Sequence, residues 1–179
     1  MEGIEIPVVA YSNCESIELF LNNKSLGKKE MGDNMDLVWN VPYEPGTLKA
    51  LAKNNGKIVS EMEIFTAGEP AKIELLADRT KINAGGKDVV HFEVNVLDDK
   101  GNFVPDASNE IEFTVEGEGI IIGIDSGDPI SLENFCASKR KAFNGKCLLI
   151  VKSTKKSGNI IVTAVSDNLE TSRIELVTK

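Results

Sequence analysis

Short runs in which apolar and polar residues alternate recur throughout this chain, and turn residues interrupt them about every 8–12 positions. Side chains on a strand point alternately to its two faces, so each such run describes a strand with one face buried. A helix needs apolar residues three and four positions apart, and no stretch sustains that spacing over several turns. The chain is therefore confined to all-β architectures, and strands this short and frequent favour a sandwich.

The runs can be followed one by one. In "ESIELFLNNKSLGKK", Ile17, Leu19 and Leu21 share a face, and "NNKS" supplies a tight turn. In "DLVWNVPY", Leu37, Trp39 and Val41 share a face. "YEPG" follows, with Pro45 and Gly46 spaced for a type II turn. Leu48, Ala50 and Ala52 point inward in "TLKALAK", "NNGK" is a second hairpin turn, and Ile58, Met62 and Ile64 lie on one side of the next run. "TAGEPAK" (66–72) has Gly, Pro and little bulk, as a linker does. The pattern then restarts. Ile73, Leu75 and Ala77 face inward, as do Val90, Phe92, Val94 and Val96, leaving His91, Glu93 and Asn95 outside. Ile111, Phe113 and Val115 form another inward face. "IIIGID" and "CLLIVKS" are apolar on both faces, as central or doubly covered strands are. About six strands in the first half and seven or eight in the second give two sandwiches in tandem, 1–67 and 68–179.

Composition narrows the function. The length of 179 residues suits one domain or two small ones. Net charge is −8, spread evenly: residues 1–68 hold 6 basic and 10 acidic side chains, and 69–179 hold 14 and 18. Nucleic acid needs a clustered basic face, so it is not an expected partner. No apolar stretch is long enough to cross a bilayer, and "MEGIEIPVVAY" lacks the basic-then-apolar form of a signal peptide. Cys14, Cys136 and Cys147 are odd in number and have no C-x-x-C spacing, so no zinc site is expected; free thiols are the leading reading, with a Cys136–Cys147 pair the alternative if their strands are neighbours.

Candidate chemistry is sparse. His91 is the sole histidine, so neither a His-based metal site nor a Ser-His-Asp triad can assemble in the usual form. Asp125, Asp128 and Glu133 in "GIDSGDPISLE" could offer a sugar-cleaving acid pair, but Gly127, Asp128 and Pro129 read first as a turn at a strand end. "DDKGN" (98–102) lacks the ligand spacing of a calcium loop and reads as a hairpin turn. "NKS" at Asn23 is a glycosylation sequon within a turn. Of ten aromatic residues, Trp39 alternates into the core, and Tyr43 is placed to cap the turn ahead of "EPG". Phe20 sits on a polar face, while Phe135 and Phe143 lie in the long connection "SGDPISLENFCASKRKAFNGKC" (126–147). With Asp128, Arg140 and Lys141, these are the candidates for carbohydrate or interface contact. No catalytic, cofactor-binding or metal-binding residue is expected.

The order of these motifs resembles a known family. "AYSNCESIELFLNNKSLGKK", "WNVPYEPGTLKA" and "NNGK" are similar to the immunoglobulin-like module after the catalytic barrel of β-galactosidase-type glycoside hydrolase family 2 enzymes. "AGEPAKIELLADRTKINAGGKD", "VLDDKGNFVPDA", "GIDSGDP" and "RKAFNGKCLLIVKST" are similar to the last immunoglobulin-like domain of the same enzymes. The resemblance implies two tandem immunoglobulin-like β-sandwich domains, a non-catalytic C-terminal part of a periplasmic or extracellular glycosidase. Its implied partners are the catalytic barrel and other domains of the parent, a second subunit of that parent, or carbohydrate. The family's two catalytic glutamates stand on a barrel that no part of this chain resembles. The family pattern also places Asn before "GDP" and a His ahead of the Phe, where Ser126 and Leu132 stand here, so a ligand role for that His does not carry over. A carbohydrate-binding module is the alternative reading. A bacterial adhesin repeat is a further one, suited to the second half only.

Overall fold

The computed structural model describes residues 3–179, and strands are its only regular elements. The chain divides into two compact units between Thr66 and Ala67.

Unit 1 contains six strands: β1 (Glu5–Tyr11), β2 (Ser16–Leu21), β3 (Lys24–Glu30), β4 (Asp36–Pro42), β5 (Thr47–Asn54) and β6 (Lys57–Phe65). They form a two-stranded sheet, β1-β4, and a four-stranded sheet, β3-β2-β5-β6. Ile17, Leu19, Trp39, Val41, Ala52 and Cys14 are buried together between them. Trp39 is in this core as its alternation requires, and its Nε1–H donates to Gly27 O at 3.3 Å. Both hairpins have two-residue turns with positive φ at each position: Asn22 (49°) and Asn23 (66°), then Asn55 (49°) and Gly56 (72°). That twist matches the right-handed twist of paired strands.

The 43–46 connection departs from the expected type II turn. The Thr47 N–H, which would close that turn, instead donates to Asn22 Oδ1 at 2.9 Å, and Asn22 Nδ2 donates to Pro45 O at 3.1 Å. The Asn22 amide thus takes the place of the turn's own hydrogen bond. Gly46 (φ 142°) is required there, because a Cβ would lie 1.8 Å from Asn22 Oδ1. Tyr43 contributes through its backbone: its N–H donates to Ile4 O and its carbonyl accepts from Gly3.

Unit 2 contains nine strands, more than the seven or eight expected: β7 (Lys72–Ala77), β8 (Lys81–Ile82), β9 (Val89–Leu97), β10 (Glu110–Gly117), β11 (Gly119–Asp125), β12 (Lys139–Lys141), β13 (Lys146–Ser153), β14 (Gly158–Val165) and β15 (Ser172–Thr178). The strands β8 and β12 have two and three residues, too few for an alternation to show. The sheets are β12-β10-β14-β15-β8 and β11-β13-β9-β7. Their facing sides bury a continuous core that includes Val90, Phe92, Phe113, Leu149, Ile160 and Leu176.

Two expectations fail here. "IIIGID" is not a central or doubly covered strand: β11 is the edge of its sheet, and Ile120 and Ile122 are exposed. Asn95 lies on the outer face of β9 as its alternation requires, but it is not exposed there. It is buried, and its Nδ2 donates to Glu74 Oε2 at 3.1 Å.

The 66–71 segment has no strand, yet it is tied down. Gly68 N–H donates to Asp98 Oδ2 at 2.9 Å and Ala71 N–H to Leu97 O at 2.8 Å, while Ala67 packs against the core of unit 2. Asp98 is buried and also accepts from the N–H groups of Lys100 (3.0 Å) and Asn102 (2.7 Å) and from Asn102 Nδ2 (3.0 Å). Led by the Gly68 N–H, these donors hold its carboxyl at about 2, below the usual carboxylate range. "DDKGN" is thus a turn closed around one carboxylate, with Gly101 at φ 88°.

Candidate functional site

The least strand-like part of the sequence, 126–147, carries the chain from β11 in one sheet of unit 2 to β12 in the other, and then back to β13. It is built from local turns. Asp125 Oδ1 accepts the Ser126 N–H at 2.7 Å and the Gly127 N–H at 3.2 Å. Asp128 Oδ1 accepts the Ile130 N–H at 3.0 Å, and Asn134 Oδ1 accepts the Cys136 N–H at 2.8 Å. Such turns need only a short side chain bonding two residues ahead.

One side chain holds the loop to the sandwich. In β12, Lys139 and Lys141 point outward and Arg140 points inward, with 0% exposure. Arg140 Nη2 donates to Ile124 O at 2.9 Å, and Nη1 reaches Ser131 Oγ at 3.3 Å and Glu133 Oε2 at 3.5 Å. Its guanidinium carbon lies 5.1 Å from the centre of the Phe135 ring. The planar fork suits this role, since it can donate in several directions while its face stacks on an aromatic ring. Burial works against the charge on Glu133, but the Lys141 N–H, the Ser131 hydroxyl and Arg140 outweigh it. The Glu133 carboxyl is therefore held below its ordinary range.

The loop's apex is apolar. Leu132 is 100% exposed, Ile130 85% and Phe135 59%. Thus Arg140, a candidate for ligand contact, is turned into the protein, while Asp128 and Lys141 remain at the surface of the same loop. Phe143 is 37% exposed and precedes the Asn144–Gly145 turn; Phe20 is half-buried in β2 of unit 1. Two shallow hollows of about 300 Å³ each open on unit 2, one beside Asp106 and one beside Asn95, and neither is lined by Asp128, Arg140 or Lys141.

Elsewhere several titratable groups are paired across strands. His91 Nδ1, on β9, lies 3.4 Å from Oδ2 of Asp78, the residue after β7. Lys146 pairs with Glu93, and Lys49 with Glu61. Among the described residues, no three His, Cys, Asp or Glu side chains gather as metal ligands would. Cys14 and Cys147 are buried, Cys136 is exposed, and all three are free; burial pushes the Cys147 thiol up to about 12.

Comparison with known proteins decides the family. Residues 73–175 match the family described as glycoside hydrolase family 2 C-terminal domain 5, and residues 3–60 match a domain of unknown function, DUF4982. The chain belongs to glycoside hydrolase family 2, as part of its C-terminal region. It is 48% identical to beta-galactosidase BoGH2A of Bacteroides ovatus over 169 residues, which is 93% of this chain and 20% of that protein. A family 2 glycosyl hydrolase of Bacteroides cellulosilyticus superposes with a TM-score of 0.92 at 42% identity, over 98% of this chain and 24% of the other. A beta-glycosidase of Bacteroides vulgatus gives 0.95 at 34%, over 98% and 23%. The chain thus spans about a fifth to a quarter of the length of these family 2 proteins.

Proposed function

We propose that this chain is a non-catalytic accessory region of a β-galactosidase-like family 2 enzyme, packing against the parent's other domains and shaping access to its active site. One observation supports this above the others. Each acid of the 126–147 segment and its flank that could join a sugar-cleaving pair is engaged locally: Asp125 and Asp128 by backbone N–H groups, Glu133 by the Lys141 N–H, Ser131 and Arg140. A general acid needs its pKa raised. Glu133 is shifted the other way.

The apex supplies the positive half of the reading. Ile130, Leu132 and Phe135 are each exposed on a loop anchored by Arg140, which suits docking against a neighbouring domain. The identity to BoGH2A supports β-galactosides as the parent's substrate class.

Assay of an aryl β-galactoside tests both claims. The purified chain should show no turnover, and the full-length parent should hydrolyse the substrate. Turnover by the pure chain overturns the accessory reading, and a parent inert toward β-galactosides overturns the substrate class. The exposed Phe135 ring favours a second reading, carbohydrate binding by stacking. Calorimetry with a panel of oligosaccharides separates the two.

A further inference from the structure

The strand order of unit 1 leaves one position in its sandwich empty. β4 lies against the β3 edge of the four-stranded sheet, where Trp39 Nε1 donates to Gly27 O at 3.3 Å and Lys29 Nζ to Val38 O at 2.6 Å. β1 comes next, and the two-stranded sheet stops there. β6 is the far edge of the facing sheet, and every one of its residues is exposed. Met62 pairs with Ala50 and Ile64 with Leu48, so both point to the face on which Leu48 and Ala50 meet the core. Met62 and Ile64 are nonetheless 65% and 55% exposed. Ile6 shares the inward face of β1 with Val8 and Ala10, and it too is exposed. The connection from Pro42, opposite Glu5, to Thr47, opposite Phe65, places Ile6 and Ile64 at the same end of the sandwich.

The outer edge of β1 is open as well. Tyr43 N–H donates to Ile4 O and Ser12 N–H to Met35 O, so the even-numbered residues of this strand exchange hydrogen bonds with β4. By the same alternation the N–H groups of Val9 and Tyr11 face away from β4. Pro7, which has no N–H, falls in this outward series, so it costs β4 nothing.

We propose that an extended segment of the polypeptide preceding these units in the full-length glycosidase fills this slot, running beside β1 and over β6, with alternate apolar side chains covering Ile6, Met62 and Ile64. Two observations select this occupant. The arrangement β1-β4 against β3-β2-β5-β6 is that of an immunoglobulin-type sandwich without its first strand, the one that precedes β1. Residues 73–175 match a C-terminal domain and the chain is 20% of BoGH2A in length, so in such an enzyme the preceding polypeptide enters unit 1 at β1. A short connection there holds a preceding strand at high local concentration beside the open edge. The inference rests on family membership and on the open edge of unit 1, and is independent of the accessory role.

The test compares this chain with the same chain extended upstream by the roughly 25 residues that precede it in its gene, enough for one strand and its turn. Hydrogen exchange of the β1 amides Val9 and Tyr11 should slow at least about tenfold in the extended protein, with peptides of unit 2 unchanged as the internal control. The variant Val9→Pro removes one outward N–H without touching the β4 ladder. It should leave the melting of unit 1 in the short chain nearly unmoved and lower it by about 4–8 °C in the extended one. Equal exchange in the two unsubstituted proteins overturns the proposal, including when Val9→Pro fails to fold. So does β1 protection in the short chain that grows with concentration, because a second copy would then be the occupant.

Discussion

Asp98 and Arg140 show how much of unit 2 hangs on single charged side chains. The Asp98 carboxylate gathers donors from Gly68, Lys100 and Asn102, and its pKa is lowered to about 2. A depressed carboxylate stabilises the fold above its unfolded pKa, near 4, and that contribution fades as pH falls from about 4 to about 2. Thermal melts of unit 2 should therefore drop across that window. Asp98→Asn should be less stable at neutral pH and should show a flatter acid limb. Arg140 has the opposite charge and the same kind of duty. Removing it as Arg140→Ala takes the donor from the Ile124 carbonyl and one of three partners from Glu133, and should cost about 1–3 kcal/mol, read by denaturant unfolding. Arg140→Lys should recover only part of that, because an ammonium cannot span Ile124 O and Ser131 Oγ together. Neither role is visible in the sequence. Alternation in "KRK" says that one of three basic residues points inward, and nothing local says that β12 is the edge of a five-stranded sheet facing β11. Asn95 misleads for the same reason: its place on the outer face is legible, whereas its burial beside Glu74 depends on a neighbouring strand.

At the scale of elements, hairpins read directly and sheet position does not. Asn22–Asn23 and Asn55–Gly56 signal two-residue turns because few residues tolerate two successive positive φ values. The alternations assigning Trp39 and Val41, or Phe92 and Val94, to the core are equally local. Whether a strand is central or at an edge depends on pairing with remote segments, and β11, apolar on both faces yet at an edge, shows what periodicity leaves out. Corners between sheets are a further case. At Gly117 (φ 85°) the chain leaves β10 in one sheet and enters β11 in the other, and a Cβ there would lie 2.1 Å from Asn159 O. Gly117→Ala should accordingly destabilise unit 2 by about 1–3 kcal/mol or more in equilibrium unfolding, while Gly56→Asn, at an exposed turn with open space around it, should cost little.

Across the whole molecule, the two cores are unequal. Among the described residues, six buried apolar side chains make the cluster of unit 1 and twenty make that of unit 2. A small sandwich with an open edge is marginal by its ratio of surface to volume. Trp39→Ala, at about 3–5 kcal/mol, should thus unfold unit 1 outright while the β9 and β13 amides of unit 2 keep their exchange protection. Expressed alone, 67–179 should melt cooperatively, whereas 1–66 should not.

The junction itself sets how such enzymes can be recombined. Thr66 is bonded to Gly46 through both its N–H and its hydroxyl, and Gly68, two residues on, already belongs to the Asp98 turn. One residue, Ala67, separates these attachments along the chain. A chimera that exchanges the first unit must cut at a seam about one peptide bond wide and leave 67–72 with the second. A crossover even a few residues downstream would strip the Asp98 carboxylate of its foremost donor and undo the unit that was meant to be kept.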